Sequence, residues 1–473
     1  MLSRQRAGTR WRAALGRVVP STAPAATPGV WVLALAAAAL VLRAPLMLVR
    51  AEALPGGDSE GYLALAADLR HGEFLGMVRT PGYPAFLAAL DVLPGRVEDA
   101  AVIVQHLLGV AIVVAVVLVA RRYFGAAAAV IAGVLAAIGR GAVTIEDVIL
   151  ADFLFGAVAF AGAVALAAAA GRSRLAVKLL VVAGAAFALA AYVKPVGQVL
   201  VLAPALAFLL AGRHVATTAK ATAVVAGTMV LVLSPWLARN LSTFDRLSLS
   251  NQEGVTLYNR AFEKQQLSVP TDDAGSRLVA RLTDEARAKG QRENSYVSAE
   301  LLRRGLTMDE VLELQRRAAV KAIRSAPAEY AKGTVRLLAV GIDDIGGQPN
   351  EVKPEARLAG VTALVRVPVT AVLHLGNALT QLWFGLAAHL AAGLLLLFVR
   401  DARRRGAMAA FVSVLLVILL ATVMTHGGMW RYSAALAPEA WVIGSAGLAF
   451  VGGAAIDRLR AMRRASASAS ASA

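Results

Sequence analysis

The sequence predicts an all-α polytopic membrane protein that crosses a bilayer about ten times. Three observations carry that expectation. Of the 473 residues, 58% are hydrophobic and only 17% are charged. Apolar runs near 20 residues recur along the chain. At about 1.5 Å rise per residue each can cross a hydrocarbon core of roughly 30 Å. The net charge of +17 is unevenly spread, with basic clusters in short segments between apolar runs. The positive-inside rule puts such clusters in cytoplasmic loops, which argues for membrane lipids and against nucleic acid as partners. Cysteine is absent, so no disulfide braces an outer loop and no thiol chemistry is available.

The elements follow in order. Residues 1–29 carry Arg4, Arg6, Arg10, Arg12 and Arg17 with no acid, and are placed in the cytoplasm. The run Val30 to Val49 is read as a retained first helix. Ala51-Glu52-Ala53 resembles a signal-peptidase site, but the run is longer than a signal-peptide core and contains Arg43. Helices over 100–120, 123–139, 148–170, 176–193, 196–211 and 221–238 then alternate across the bilayer. They return in turn to Arg121-Arg122, to Arg172, Arg174 and Lys178, and to Arg213 and Lys220. A helix over 379–399 returns to Arg400-Asp401-Ala402-Arg403-Arg404-Arg405. Two last helices bracket an outer loop around Thr425 to Tyr432 and deliver Arg458, Arg460, Arg463 and Arg464 to the inside. The final Ala-Ser repeat is low-complexity and is expected to be disordered. Residues 358–378 are apolar but hold Arg366, Pro368 and His374; a helix lying at the outer interface fits them.

The chain therefore divides into a basic N-terminus (1–29), an N-terminal transmembrane module (30–238), an outer helical and interfacial segment (239–378), C-terminal transmembrane helices (379–456) and a basic Ala/Ser-rich cytoplasmic tail (457–473). Two outer stretches are too long to be mere connectors, one over 50–99 and the other over about 239–357, which directs function outward. In the second, Thr307-Met308-Asp309-Glu310 is a capping box ahead of a long helical run.

The first outer loop carries the chemistry. Residues 59–70 set Tyr62, Leu65, Ala66 and Leu69 on one helical face, and residues 82–93 do the same with Tyr83, Phe86, Leu87 and Leu90. Both segments are too short to span and are expected to lie along the membrane surface. Between them Arg79-Thr80-Pro81-Gly82-Tyr83-Pro84 is a rigid turn that holds an arginine in a fixed place.

Asp58 and Tyr62, then Arg79 and Pro81-Gly82-Tyr83-Pro84 with Phe86-Leu87, resemble the first outer loop of GT-C glycosyltransferases. The nearest branch holds protein O-mannosyltransferases and the aminoarabinose transferase acting on lipid A. Further pieces match in order: Val148-Ile149-Leu150-Ala151-Asp152, Lys194-Pro195, Ser234-Pro235-Trp236 with Arg239-Asn240, Ala326-Pro327 with Tyr330, and Arg431-Tyr432. The resemblance implies a GT-C-like bundle. It also implies transfer of a sugar from a polyprenyl-phosphate carrier to a hydroxyl of a glycan, lipid or protein, on the outer face of a bacterial inner membrane. A positioned carboxylate suits the base such a hydroxyl needs, and that role goes to Asp58, with Asp152 as a second catalytic acid. Cations stabilise a phosphate leaving group; Arg79, Lys194, Arg239 and Arg431 are the candidates. Tyr62, Tyr83 and Tyr432 are the aromatic candidates for substrate contact. Direct attack on the anomeric phosphate, with no enzyme nucleophile, inverts the configuration.

Plainer readings stand beside these. Asp58 precedes a helix and can be an N-cap. Arg79 can meet lipid headgroups, Glu146 and Asp147 read as solvated loop acids, and Trp236 and Trp430 as interfacial anchors. Arg43 inside the first helix needs a partner or a polar cavity. His106 and His389 read as packing residues. Six scattered histidines form no zinc site, so no metal ligands are assigned and a divalent cation is left open. A secondary transporter or lipid flippase is the competing class, but such proteins show repeated halves and polar sites at the midplane, neither of which the sequence displays.

Overall fold

The computed structural model describes residues 28–51, 58–73, 76–343, 354–382, 391–425 and 430–471. The N-terminal arginines, Glu52-Ala53, residues 383–390 with His389, and residues 426–429 lie outside the described residues.

All regular structure among the described residues is helical. Helix α1 (Pro28–Met47) is followed by the two short helices of the first loop, α2 (Asp58–Arg70) and α3 (Gly82–Leu90). The long α4 (Val97–Phe124) turns at Gly125 into α5 (Ala126–Ile138), which bends by 49° into α6 (Arg140–Glu146). Next come α7 (Ala151–Ala170), α8 (Val177–Val193), a 3-10 stretch (Pro195–Leu202) running into α9 (Ala203–Leu210), and α10 (Val215–Phe244). The outer segment is α11 (Glu253–Tyr258), α12 (Ala274–Ala288), α13 (Glu293–Arg303), α14 (Met308–Ser325), α15 (Pro327–Asp343), α16 (Pro354–Arg357) and α17 (Ala363–Leu382). The chain ends in α18 (Ala402–Thr425), α19 (Trp430–Ala435) and α20 (Ala437–Ala471).

Six of these, α1, α4, α7, α10, α18 and α20, are long and apolar enough to cross a membrane, or seven if the bent pair α5–α6 is one broken span. The apolar α8 and the stretch Pro195–Leu210 match two further predicted spans but are shorter. They are short because Pro195 lacks an amide proton and pushes the preceding residue out of helix; Lys194 is extended, with φ −148° and ψ 126°. The interfacial segment expected over 358–378 is helical as α17. The Ala-Ser tail departs from expectation: α20 runs through it to Ala471, in keeping with the high helix propensity of alanine.

Alanine and glycine dominate the contacts between spans, which lets backbones approach closely. A Cβ on Gly156 of α7 would collide with the carbonyl of Ala435. One core joins the spans to α2 and α3, and a second lies within the outer segment around Tyr258, Phe262, Leu282, Leu301 and Val311. The capping box is present, with Thr307 and Glu310 bonding each other's backbone amides.

The basic loops gather at one end. Arg213 donates to the carbonyl of Ala170 at 2.9 Å, Arg405 to that of Ala211 at 3.0 Å, and the Arg403 guanidinium lies 5.4 Å from the Tyr123 ring centre. Asp152 in the first turn of α7 and Lys194 at the far end of α8 therefore lie at the opposite end from these loops.

Candidate active site

The site begins with α2, whose first residue is Asp58 and whose next turn, four residues on, brings Tyr62 to the same face. Arg79 Nη2 donates to Asp58 Oδ1 at 2.7 Å, and its guanidinium sits 4.3 Å from the Tyr62 ring centre. The turn that carries Arg79 needs glycine at 82: a Cβ there would lie 2.6 Å from the backbone of Tyr192 in α8. Behind Tyr62, Tyr83 packs edge-on at 4.9 Å and donates its hydroxyl to Gln105 Oε1 at 3.0 Å. The Gln105 amide in turn donates to the carbonyls of Glu146 and Val148, both at 2.9 Å, and Ser59 donates to the carbonyl of Ile149 at 2.9 Å. The first loop is thus tied to the stretch of chain that leads into α7, which fixes Asp152 relative to Asp58.

Arg431 joins the two acids. Its Nη1 donates to Asp58 Oδ2 at 2.7 Å, while Nη2 and Nε donate to Asp152 Oδ2 at 2.7 and 3.0 Å. Lys194 donates to the other oxygen of Asp152 and lies 3.7 Å from the Tyr432 ring centre. Five charged groups from separate parts of the chain form one lattice. Three cations against two carboxylates leave one positive charge in surplus.

The lattice sets protonation states. Burial works against ionising Asp58, but the guanidiniums of Arg79 and Arg431 outweigh it and hold the carboxyl well below the usual range. Burial likewise opposes the charge on Arg431, yet Asp152 and Asp58 drive its pKa up. Asp152 is fully buried.

A cavity of about 310 Å³ opens onto the lattice, lined by Asp58, Tyr62, Arg79, Lys194, Arg431 and Tyr432. Of the nine residues predicted from sequence, six therefore line one cavity and Asp152 lies behind them, bonded to two. Tyr83 supports from beneath and does not reach the cavity. Arg239 is not brought in either: α10 continues past the expected end at 238, and the Arg239 guanidinium lies 4.9 Å from the ring centres of Trp236 and Phe244.

A divalent cation does not fit between the two acids as they stand, because all four carboxylate oxygens already accept from Arg79, Lys194 or Arg431. No group of three metal-binding side chains occurs among the described residues.

Two features escaped sequence reasoning. Glu146 and Asp147, read as solvated loop acids, are buried. Glu146 accepts from Arg43 at 2.6 and 2.8 Å and bonds His106 at 2.9 Å, and Asp147 bonds His106 at 3.2 Å and pairs with Arg357. Burying an arginine in a span requires such a partner, and Glu146 is the one Arg43 needs. Trp236 does more than anchor: its indole donates to the carbonyl of Leu249 at 2.8 Å.

Comparison with known proteins agrees with this picture. Residues 78–238 match the family described as dolichyl-phosphate-mannose-protein mannosyltransferase, a stretch that takes in Arg79, Asp152 and Lys194. The apo oligosaccharyltransferase of Archaeoglobus fulgidus superposes with a TM-score of 0.50 at 15% identity, over 94% of this chain and 52% of that one. The oligosaccharyltransferase AglB of the same organism, in complex with an inhibitory peptide and a dolichol-phosphate, gives 0.48 at 18%, over 93% and 52%. ArnT from Cupriavidus metallidurans bound to undecaprenyl phosphate gives 0.37 at 15%, over 89% and 78%. The chain spans about half the length of the oligosaccharyltransferase it matches. No curated protein gives a significant match. The resemblance read from the first-loop motif holds: this multi-pass membrane protein has the GT-C glycosyltransferase fold, and over residues 78–238 it is similar to the dolichyl-phosphate-mannose-protein mannosyltransferases.

Proposed function

We propose that this chain is a membrane glycosyltransferase that moves a sugar from a polyprenyl-phosphate carrier to an acceptor hydroxyl. The observation that carries the reading is the surplus positive charge of the lattice lining the cavity, which matches the single negative charge of a glycosyl phosphodiester. A carrier whose tail lies in the bilayer presents its phosphate at the membrane boundary. The lattice lies at the end of the spans opposite the basic loops. By the positive-inside rule that end faces outward, which for a bacterial inner membrane is the periplasmic side.

In the step itself the acceptor oxygen attacks the anomeric carbon and forms the new glycosidic bond. The bond from that carbon to the phosphate oxygen breaks, the phosphate leaves with the electron pair, and the hydroxyl proton passes to the Asp58 carboxylate. A single displacement of this kind inverts the anomeric centre. Asp58 held by two guanidiniums is a weak base, since a general base works best with a pKa near the working pH. A donor phosphate competes for the same guanidiniums. As Arg79 and Arg431 turn to the phosphate, Asp58 loses its counter-charges and gains basicity, and the arginines stabilise the charge that grows on the leaving group. Asp152 keeps Lys194 in place throughout.

The test is the anomeric configuration of the product, read by NMR after transfer from an undecaprenyl-phosphate sugar. Inversion is expected. Retention would rule out an inverting single displacement with Asp58 as its base.

A further inference from the structure

The cavity is lined by more than the lattice, and part of that further lining is polar and uncharged. The same cavity is also lined by Gln198, on the 3-10 turn just past Lys194, and by Ser248, Ser250 and Gln252 of the segment joining α10 to α11. The side chains of Gln198, Ser250 and Gln252 make no hydrogen bond among the described residues. An amide offers a donor and an acceptor together, and a hydroxyl does likewise. Such groups pair with neutral hydroxyls and leave a phosphate to the cations.

The segment is held in place from both sides. Trp236 Nε1 donates to the carbonyl of Leu249 at 2.8 Å and Asn240 Nδ2 to that of Ser248 at 2.8 Å. The amide of Asn251 donates to the carbonyl of Met77 in the first loop at 3.0 Å, and its side chain bonds Asp309 of α14. Four anchors in about as many residues make this a fixed strap. They also account for the Pro-Trp and Arg-Asn pieces of α10, because Trp236 and Asn240 hold the strap against the cavity. At about 310 Å³ the space is at the small end of the roughly 300–1,000 Å³ typical of small-molecule sites, which suits one sugar unit and its phosphate rather than a chain of sugars.

From this juxtaposition we infer that the wall formed by Gln198 and the strap 248–252 is a monosaccharide subsite that reads the hydroxyls of the donor's glycosyl group and selects which sugar is transferred. The inference rests on the donor reading above and adds the place where the sugar is recognised. Preorganised polar groups discriminate strongly, because a ligand lacking the right hydroxyl leaves them unpaired.

The experiment uses the full chain in liposomes and measures binding, so no acceptor is needed. Competitors are sugar-free undecaprenyl phosphate and a panel of undecaprenyl-phosphate monosaccharides that differ in the configuration or presence of single hydroxyls. Wild type is expected to rank the panel over about a hundredfold. Gln198→Ala and Gln252→Ala are each expected to compress that ranking about tenfold or more, with affinity for sugar-free undecaprenyl phosphate within about twofold of wild type. Trp236→Phe, which keeps an aromatic ring but frees the strap, should compress it as well. An unchanged ranking in both amide variants, or a wild type that does not distinguish the panel, overturns the subsite. So does a loss of sugar-free carrier binding equal to the loss of donor binding. Arg79→Ala run alongside separates the two ideas: if it keeps sugar-free carrier affinity, the phosphate reading fails, while the ranking still judges the wall.

Discussion

Replacing Arg431 by glutamine tests the lattice at its keystone. Arg431 makes three charge-assisted hydrogen bonds to two carboxylates, at 2.7, 2.7 and 3.0 Å. Without it Asp152, fully buried, keeps only Lys194, and Asp58 keeps only Arg79. Removing one partner of a buried pair costs about 3–5 kcal/mol. The Arg431 side chain is 25% exposed, which brings the expected loss of stability to about 2–3 kcal/mol after allowing for solvent screening. Binding of undecaprenyl phosphate should weaken too. One charge-assisted hydrogen bond is worth about 1.5–3 kcal/mol, or roughly 10- to 150-fold in Kd. The assays are denaturant unfolding in mixed micelles and a carrier-displacement measurement in liposomes. Adding Asp152→Asn to Arg431→Gln should recover none of the stability, because Lys194 then loses the carboxylate that Arg431→Gln had left it. The carrier affinity should not recover. Arg431→Gln binding the carrier as tightly as wild type, or a double variant clearly more stable than the single, would refute the keystone role.

Four further outcomes are expected. The folded-state pKa of Asp58 is depressed, so its contribution to stability is complete above the unfolded value of about 3.9 and is lost as pH falls through the folded one. The stability gap between wild type and Asp58→Asn should therefore be constant from about pH 8 to 5 and shrink below about pH 4. Arg43→Met and Glu146→Gln each break a pair whose side chains are 1% and 2% exposed. Each should cost about 3–5 kcal/mol alone and clearly less than the sum together, as read by the same unfolding assay. Gly82→Ala drives a methyl into the α8 backbone; it should cost about 1–3 kcal/mol and lower transfer by shifting Arg79 against Lys194. With Arg431 occupying the space between the acids, transfer in chelator-treated liposomes should match that in untreated ones; a loss restored by a divalent cation would count against the lattice as the working form.

The parts of this protein legible in the sequence are those written locally. A hydrophobic run specifies a span by its length, and the Pro81-Gly82 turn and Lys194-Pro195 break act on their own neighbours, so Asp58, Arg79 and Lys194 could be found one by one. Arg431 and Tyr432 came from position near the last helix. What could not be read is pairing across distance. Nothing near Glu146 announces that Arg43, 103 residues earlier, and Arg357, 210 residues after Asp147, close over those acids; a Glu-Asp pair between two predicted spans looks like a solvated loop. The strap Ser248-Leu249-Ser250-Asn251-Gln252 carries no motif, and only its four anchors show what it faces. Arg239 was misplaced for a related reason: a helix end read from hydropathy is uncertain by a few residues, and α10 runs on to Phe244.

The central claim is that Asp58 takes the acceptor proton in a lattice that binds the donor phosphate. Wild type and Asp58→Asn, reconstituted side by side and offered undecaprenyl-phosphate sugars with a mixed acceptor pool, test it most directly. Wild type is predicted to transfer from one donor class, and the variant to lose about a hundredfold or more of that activity, with undecaprenyl phosphate still bound by both. Equal transfer by the two proteins would contradict the claim.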